Sequence, residues 1–462
     1  MNQMGRRRFN QSVLGLSAAL TLPTSTRAKP SGTLTARVGL ARLVPEGYPE
    51  TQIWGYDGRV PGPVLRVVRG ERLSLRFVNQ LPQASSVHWH GIRIDNAMDG
   101  VIGLTQQAVE PGASFDIDFV APDAGTYWYH SHNRSWEQVA RGLYGALIVT
   151  EPDGAPEVDL DEPLLIDDWR LADDAQIATG FGSLHDAAHA GRIGNWITVN
   201  GDPAWSREVA RLARLRLRVV NAANARIVTI GMRGFEGWVV ALDGMPLDQP
   251  APIEELDLAP AQRADLILDV VADVGDEAIL TSLERDGGFV LCGFPVRGQA
   301  RSERRPPPAP LPANDVPAIA DPAGARAVEL RMEGGAMGGL HGAMMDGRML
   351  DMRALASAGK VWAFNGTAGM EGTPLVDVVR GEVVKITIIN DTAWPHAMHL
   401  HGHHFRQVPV QGPPGPLRDT LLVNRRETTS IAFVADNPGK WLLHCHMLEH
   451  AAAGMMTWLR VT

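Results

Sequence analysis

Residues 66–79 read RVVRGERLSLRFVN, and residues 377–390 repeat the pattern as DVVRGEVVKITIIN. A third, weaker copy, LARLRLRVVNAAN, occupies residues 212–224. Each copy has a charged or glycine-marked turn, then a run in which apolar and polar residues alternate, then asparagine. Alternation with a period of two is typical of a half-buried β-strand, and recurrence of such a unit indicates an internal repeat. We therefore predict one β-sandwich domain used three times.

Short alternating runs between turn residues continue along the rest of the chain, which contains 48 glycines and 32 prolines. This spacing predicts an all-β protein with little helix. A chain of 462 residues is too long for one hydrophobic core, and roughly 150 residues per domain also suggests three. The predicted domains are residues 31–155, 156–300 and 325–462, with a Pro-rich linker at residues 301–324.

The N-terminus combines Arg6, Arg7 and Arg8 with an apolar run from Val13 to Leu22 and small residues before position 29. This arrangement is typical of a signal peptide, and we predict that residues 1–28 are removed on export. The paired arginines followed by Phe9 resemble the twin-arginine export signal; an ordinary secretory signal is the alternative. Export predicts a periplasmic location.

Removal of residues 1–28 takes away four arginines and no acidic residue, which leaves 39 basic against 52 acidic side chains. The resulting negative charge disfavours nucleic acid and anionic lipid as partners. No later stretch has the roughly 18 apolar residues of a membrane span, so we expect no membrane insertion after signal removal. The only cysteines are Cys292 and Cys445, and we expect no disulfide.

Ten of the fifteen histidines lie in four compact motifs. These are HWHG at 88–91, HSH at 130–132, HAMHLHG at 396–402 and HCHMLEH at 444–450. On a strand, residues two apart point to the same face, so each His-x-His pair presents two imidazoles to one place. The clustering predicts metal binding.

In HCHMLEH the same alternation points Cys445 away from its two histidine neighbours, so one strand serves two metal sites. A thiolate, two imidazoles and a distant thioether are the ligands of a blue electron-transfer copper. We predict that Cys445, His396 and His450 form the trigonal set, and that Met455 is the axial ligand.

These four motifs resemble those of the multicopper oxidase family, which includes laccases, ascorbate oxidase and bacterial cuprous oxidases. PGPVLRVVRGERLSLRFVNQLP, RVVNAANAR, PAQRADLILD and NPGKWLLHCH are similar to family sequence as well. The resemblance covers nearly the whole mature chain. It implies three cupredoxin-like Greek-key β-sandwich domains in a protein that oxidises a substrate by single electrons and reduces dioxygen to water.

The resemblance also implies four copper ions: one type 1, one type 2 and two type 3. Type 2 copper is expected at His88 and His399. One type 3 ion is expected at His90, His130 and His446, and the other at His132, His401 and His444. The trinuclear cluster then lies between domains 1 and 3, and domain 2 carries no ligand and acts as a spacer. We expect a monomer.

Two positions concern proton delivery. Asp99 matches an acidic residue that assists proton delivery near the cluster in bacterial members of the family; alternatively, it is a turn residue before Gly100. Many bacterial relatives have glutamate directly after the second type 1 histidine, whereas this chain has Ala451. With Cys445, Asp99 completes the predicted catalytic residues.

The reducing substrate is predicted from residues 332–352, which hold six of the sixteen methionines. Soft thioethers select Cu(I), and methionine-rich insertions resemble those of cuprous oxidases that act in copper tolerance. The candidate substrate residues are Met345, Met349, Asp351 and Met352. The alternative is that these methionines fill gaps or cover a mobile loop.

Laccase activity is the second enzyme hypothesis. Cuprous oxidases have an aspartate and a methionine just before the first type 1 histidine, whereas this chain has Trp394 and Pro395 there. Trp394 would suit a phenol or an aryl amine. A third hypothesis is a copper-free relative that acts in cell division or as a scaffold; the presence of all ten motif histidines, Cys445 and Met455 argues against it.

Overall fold

The computed structural model describes residues 31–284, 287–319 and 324–462. The predicted signal peptide at residues 1–28 lies outside the described residues. Nearly all regular structure in the described ranges is β, as predicted. None of the helices in these ranges is long or apolar enough to span a membrane.

The N-terminal region forms two four-stranded sheets, in the orders β2-β1-β4-β6 and β3-β8-β7-β5. Phe77, Trp89 and Tyr129 are buried in the core of this region. Its elements are β1 (Gly32–Ala41), β2 (Thr51–Tyr56), β3 (Leu65–Val68), β4 (Arg72–Asn79), β5 (His88–His90), a 3-10 helix (Asn96–Met98), β6 (Ser114–Val120), β7 (Gly125–His130), α1 (Ser135–Gln138) and β8 (Tyr144–Thr150).

The middle region forms a six-stranded sheet, β10-β9-β12-β17-β14-β15, and a five-stranded sheet, β11-β19-β18-β13-β16. Its elements are β9 (Leu160–Trp169), α2 (Leu184–Ala188), β10 (Trp196–Val199), β11 (Val209–Arg211), β12 (Arg214–Asn221), β13 (Val228–Arg233), β14 (Phe235–Leu242), β15 (Met245–Pro252), β16 (Leu256–Leu258), β17 (Arg263–Val270), β18 (Glu277–Glu284) and β19 (Gly287–Gln299).

The C-terminal region forms a six-stranded sheet, β23-β20-β25-β30-β27-β28, a five-stranded sheet, β24-β32-β31-β26-β29, and the hairpin β21-β22. Its elements are β20 (Arg326–Gly334), β21 (Gly342–Met345), β22 (Arg348–Asp351), α3 (Met352–Ser357), β23 (Trp362–Phe364), β24 (Val376–Val378), β25 (Val383–Asn390), β26 (His396–Leu400), β27 (Phe405–Gln407), β28 (Leu417–Arg418), β29 (Thr420–Val423), β30 (Thr428–Val434), β31 (Gly439–Cys445), α4 (Leu448–Ala452) and β32 (Met456–Val461).

The three copies of the sequence repeat become equivalent strands, β4, β12 and β25. Each pairs in parallel with the first strand of its region, which is β1, β9 or β20. Each also pairs antiparallel with β6, β17 or β30 on its other side. The repeat therefore marks the same place in three similar sandwiches.

The asparagine at the end of the repeat's strand makes the same kind of hydrogen bonds in all three regions. Asn79, Asn221 and Asn390 are buried, and each side-chain amide donates to two or more backbone carbonyls of neighbouring loops. Each side-chain carbonyl accepts from the backbone N–H two residues further on. Because a buried amide without partners is costly, this bonding accounts for asparagine at the position.

The fold class predicted from the sequence is confirmed. Each region has its own buried apolar core. The residue limits of the three domains and of the linker stay a prediction.

Candidate metal centres

Histidine motifs from the first and last regions meet between them. In the first region, β5 pairs with β7 and sets His88 opposite His130. In the last, β26 pairs with β31 and sets His399 opposite His444 and Met398 opposite Cys445. Since neighbouring residues of a strand face opposite sides, β31 points His444 and Cys445 into two different places, as the sequence predicts.

The first place is a buried site formed by Cys445, His396 and His450. The Cys445 Sγ lies 3.6 Å from His396 Nδ1 and 3.9 Å from His450 Nδ1. The two Nδ1 atoms are 3.2 Å apart. All three side chains are fully buried, so their polar atoms converge away from water.

Hydrogen bonds on the far side of each ring fix which nitrogen faces the thiol. His450 Nε2 lies 2.7 Å from the His189 carbonyl, which only accepts, so His450 Nε2 must hold the proton. His396 Nε2 lies 2.9 Å from the Thr392 hydroxyl, whose own proton goes to Asn390 at 2.7 Å. Both Nδ1 atoms therefore present lone pairs to each other, an arrangement that a cation between them would stabilise.

Met455 follows α4 and is fully buried in the same apolar cluster as Cys445. Its backbone carbonyl accepts from the Cys445 N–H at 3.0 Å, and its own N–H donates to the His450 carbonyl at 3.0 Å. These bonds hold the predicted axial residue in the loop that surrounds the site.

The second place gathers the other eight motif histidines. His132, His401 and His444 have ring nitrogens within 4.8 Å of one another, as do His88, His399 and His401. His130 Nε2 and His446 Nε2 are 3.3 Å apart, and the His90 ring lies 4.9 Å from that of His446. The structure thus brings together every predicted histidine ligand.

Several of these nitrogens are buried lone pairs with no partner in the described part of the chain. His88 Nδ1 donates to the Asp99 carbonyl at 2.7 Å and His399 Nδ1 to the Asp419 carbonyl at 2.9 Å, which leaves both Nε2 atoms unpaired. His90 Nδ1 is unpaired as well. Because buried polar atoms normally have partners, these orphan nitrogens fit metal ions.

His401 and His444 show the same feature. His401 Nδ1 bonds to Asp99 Oδ1 at 3.0 Å, and His444 Nδ1 donates to the Cys445 carbonyl at 2.8 Å. Their Nε2 atoms then face each other 3.1 Å apart without a proton to share. Imidazole donors in this number suit copper.

Burial controls the protonation of the ligands. It lowers the pKa of His450 to about 4 and that of His132 to about 3, so both rings are neutral near pH 7. Burial also lowers the pKa of the other described motif histidines for which a shift is resolved, namely His90, His130, His396, His399, His401, His444 and His446. It raises the pKa of the Cys445 thiol to about 12.

Asp99 lies at the edge of the cluster and is only 2% exposed. Its Oδ1 is 3.0 Å from His401 Nδ1 and 3.2 Å from His88 Nδ1. The residue is therefore not a simple turn aspartate, because its carboxylate contacts two of the candidate ligands. Ala451 lies in α4, and the structure has no carboxyl group at that position.

Asp419 is a site residue that the sequence analysis missed. Its Oδ1 lies 3.2 Å from His90 Nε2, and its two oxygens accept from Arg263 at 2.9 and 2.6 Å. Burial alone would raise the pKa of Asp419, but Arg263 and the neighbouring histidines hold it well below its usual value. The one available signal was a carboxylate directly before the short strand β29, whose sequence is TLLV.

Asp419 and Arg263 also correct the expectation that the second domain only separates the other two. Arg263 belongs to β17 of the middle region, and it reaches His90 of the first region through Asp419 of the last. The same region supplies the His189 carbonyl to His450. The middle region therefore positions histidines of both candidate sites.

The predicted substrate residues lie on the hairpin β21–β22 and on α3. Met345 and Met352 pack against a small cluster that includes Ala363. Asp351 caps α3 by accepting from the Ala354 N–H at 2.8 Å, and Met349 is 68% exposed. Neighbouring residues of β23 face opposite ways, so the hairpin contacts the face of that strand opposite to Trp362.

Trp362 and Trp394 flank the Cys445 site. The Trp362 ring lies 5.1 Å from that of His396 and 4.8 Å from that of His450. Trp394 is half-buried, and its ring lies 5.5 Å from that of His189. Trp394 is thus near the surface by His450, as an aromatic substrate wall would be.

A thiol with two imidazoles, next to a cluster of eight imidazoles in an all-β protein, defines a class of copper-binding electron-transfer proteins. Family models described as multicopper oxidase match residues 37–154, 161–288 and 346–462. These matches cover the elements that hold both sites.

The chain is also similar to solved structures of this family. Lac15 from a marine microbial metagenome is 43% identical, with a TM-score of 0.77 over 93% of this chain and 99% of that one. A multi-copper oxidase from Pseudomonas thermotolerans is 30% identical, with a TM-score of 0.81 over 94% of this chain and all of that one, 100%. The chain belongs to the multicopper oxidase family, and its sandwiches are cupredoxin-like. It is therefore an oxidoreductase with copper cofactors.

Curated relatives have more varied names. The multicopper oxidase MmcO of Mycobacterium tuberculosis is 28% identical over 96% of this chain and 90% of the relative. A copper resistance protein A homolog of Pseudomonas syringae pv. tomato is 25% identical over 88% of each protein. The first name gives the enzyme class, and the second refers to copper resistance.

Proposed function

We propose that the chain holds four copper ions at the two sites described above. Cys445, His396 and His450 hold one, with Met455 as a weaker fourth ligand. His88 and His399 hold the second. The other six histidines hold the remaining pair, in the two sets of three expected from the family resemblance. The unpaired ring nitrogens that face one another support this assignment.

Copper bound in this way supplies one-electron oxidation at one site and four-electron reduction of dioxygen to water at the other. Cys445 is the sequence neighbour of both His444 and His446. The covalent backbone therefore connects the Cys445 site to the histidine cluster. Full burial of the three side chains keeps bulk water away from the Cys445 site.

Asp99 is proposed to hold and deliver protons at the cluster. Its carboxylate contacts the Nδ1 atoms of His401 and His88, so it also orients both rings. This chain has Ala451 in place of the glutamate common in bacterial relatives. Asp419 also contacts the cluster, but Arg263 and the neighbouring histidines hold its pKa well below the usual value despite its burial, so we assign this task to Asp99.

For the reductant, we propose Cu(I). The single observation behind this choice is the concentration of six methionines in residues 332–352. Hydrogen bonds hold the N-terminal part of this segment beside the Cys445 site. The Ala336 carbonyl accepts from Trp394 Nε1 at 3.1 Å, and the Ala336 N–H donates to the Ala188 carbonyl at 2.7 Å. The relative named as a copper resistance protein supports the same substrate.

Oxidation of small phenols or aryl amines is the second candidate function. The half-buried Trp394 ring near His189 favours it, since an aromatic substrate could stack there.

The test is dioxygen uptake by the copper-loaded enzyme with Cu(I) and, separately, with a methoxyphenol. The proposal expects a higher kcat/KM for Cu(I). If the phenol is the better substrate and Cu(I) oxidation does not exceed the rate without enzyme, the protein acts as a laccase. Replacing all of residues 332–352 is unsuitable, because Met332 is buried in β20.

We also propose that the protein acts in the periplasm as a monomer after export by the twin-arginine route. The basic N-terminus and the following apolar run support export. Replacement of Arg6 and Arg7 by lysine, followed by cell fractionation, tests the route: a twin-arginine signal would fail, while an ordinary secretory signal would still function.

A further inference from the structure

The Cys445 site is connected to the surface through His450. His396 Nε2 leads inward to Thr392, which is fully buried. His450 Nε2 instead donates to the His189 carbonyl at 2.7 Å, and His189 lies at the end of α2, where its side chain is half-buried. One hydrogen bond therefore separates a candidate ligand from a residue in contact with solvent.

His189 is stacked on a second, exposed histidine. Its ring lies 4.2 Å from that of His185, with 14° between the ring planes, and the His185 side chain is 77% exposed. His189 Nδ1 donates to the His185 carbonyl at 2.8 Å, so His189 Nε2 keeps a free lone pair. Neither ring has a part in holding the two copper sites. Two imidazoles are thus available side by side at the surface.

A methionine adjoins this His185–His189 pair. Met337 is 75% exposed and adopts a positive φ of 63°. The preceding residue, Ala336, donates its N–H to the Ala188 carbonyl at 2.7 Å. This hydrogen bond holds Met337 next to the end of α2. Left-handed backbone at a non-glycine residue is uncommon. No packing requirement accounts for the methionine.

We propose that His185, His189 and Met337 form the site at which Cu(I) binds to deliver its electron. This inference rests on the proposed Cu(I) oxidation and names where it occurs. Imidazole nitrogen and thioether sulfur are donors that suit Cu(I). The site lies on the middle and last regions together, beside Trp394.

Each event converts one bound Cu(I) into Cu(II), which leaves, and one electron moves along the His189 carbonyl to the His450 imidazole. Four events supply the electrons that, with four protons, convert one dioxygen into two waters. No other oxidant is required.

The proposal differs from a site on the hairpin β21–β22. Met345 and Met352 are partly used in packing against the hairpin's own cluster, and Asp351 caps α3. The hairpin contacts β23 on the face opposite to Trp362. The backbone carbonyl of His189 instead accepts directly from His450 Nε2.

Two measurements on the copper-loaded enzyme test this site. The first is binding of Ag(I), a redox-inert analogue of Cu(I), by equilibrium dialysis. The second is the KM for Cu(I) in dioxygen uptake. Both are made on the native protein, on His185→Ala, on His185→Ala/His189→Ala, on Met337→Leu and, for the hairpin, on Met349→Leu. Leu184→Ala, at an exposed position of the same helix α2 with no donor atom for a metal, is the matched control.

We expect the double histidine variant to bind one Ag(I) fewer and to raise the KM for Cu(I) about tenfold or more, as loss of a metal's ligands would. His185→Ala and Met337→Leu should raise the KM less. The blue absorption should not change, since the His189 carbonyl is kept.

Unchanged Ag(I) binding and KM in the double variant would overturn the site, even if native enzyme oxidises Cu(I) well. A rise in KM for Met349→Leu without one for Met337→Leu would place the substrate on the hairpin instead. Failure of the native enzyme to oxidise Cu(I) would refute the proposed function, whereas the Ag(I) count would still report on the site.

Discussion

Each candidate copper ligand whose bonding is resolved uses one ring nitrogen for the protein and leaves the other for metal. Carbonyl oxygens fix the ring orientation of His88, His399, His444 and His450, and the Thr392 hydroxyl fixes that of His396. A carbonyl oxygen can only accept a hydrogen bond, so the ring nitrogen that faces it must carry the proton. Each carbonyl thus selects a single tautomer of its histidine. The rings are thereby set for metal binding before the metal arrives.

Copper loading at Cys445 should depend steeply on pH. Burial raises the thiol pKa to about 12 and lowers the pKa of His450 to about 4, so only the thiol must lose a proton between pH 6 and 8. The thiolate fraction rises tenfold per pH unit, and the copper affinity should rise by about the same factor. The measurement is anaerobic titration of the apoprotein against a copper chelator. An affinity independent of pH would mean that the thiol is already ionised.

Asp99→Asn should separate proton delivery from copper binding. The amide oxygen can still accept from His401 Nδ1, so copper content should stay the same. Turnover should fall about 100-fold or more, because the amide cannot carry a proton. Copper analysis and dioxygen uptake provide the measurements, and Asp95→Asn, an exposed neighbour, is the matched control. Native turnover in Asp99→Asn would exclude the residue from proton delivery.

At the scale of elements, β31 sends consecutive side chains to two sites. Its register with β26 places Cys445 beside the buried Met398, and His444 beside His399. The alternation of a strand therefore suffices to couple a thiol site to an imidazole cluster with no intervening residue.

This arrangement predicts that Cys445→Ser removes one site and spares the other. A serine hydroxyl is a poor replacement for a thiolate ligand, so the blue absorption and one copper per chain should be lost. The remaining copper should stay bound while turnover ceases. Cys292→Ser, at the other buried thiol, should keep both colour and copper. Loss of all copper in Cys445→Ser would show that the two sites do not load independently.

The sequence predicted the site residues that lie in repeated motifs with short spacing between them. The period of two in the histidine motifs was enough to predict shared faces, and the repeat ending in asparagine identified β4, β12 and β25. Thr392, Asp419 and the His189 carbonyl could not be found in this way. Asp419 and the His189 carbonyl act across more than 250 residues of chain, and a backbone carbonyl has no sequence signature. Thr392 lies only four residues from His396, but a threonine in a loop has no distinctive local pattern.

At the scale of the whole molecule, all three regions meet at Asp419. Arg263 of the middle region forms a fully buried ion pair with this residue of the last region, which also contacts His90 of the first. Burial of charge is tolerated here because Arg263 donates two hydrogen bonds to the carboxylate. The cluster between the outer regions thus depends on the middle one.

Asp419→Asn should damage both stability and the cluster. It leaves Arg263 buried with only the more distant carboxylate of Asp243, at 3.7 Å, as a charged partner, so the free energy of unfolding should fall by about 3 kcal/mol. Copper content at the cluster should fall as well, because the amide has one acceptor oxygen for the contacts with Arg263 and His90, which two carboxylate oxygens serve in the native protein. Denaturant unfolding and copper analysis test this. Asp273→Asn breaks an exposed pair with Arg211 and should change neither. A native-like Asp419→Asn protein would contradict this role.

The most direct test of the central claim is the amount of dioxygen consumed per Cu(I) oxidised by the copper-loaded enzyme, with hydrogen peroxide measured in the same sample. A thiol site coupled to a three-metal cluster predicts four Cu(I) per dioxygen and no peroxide, because the four electrons are delivered together. A ratio of two Cu(I) per dioxygen with peroxide released would contradict it, since the cluster would then not complete the reduction to water.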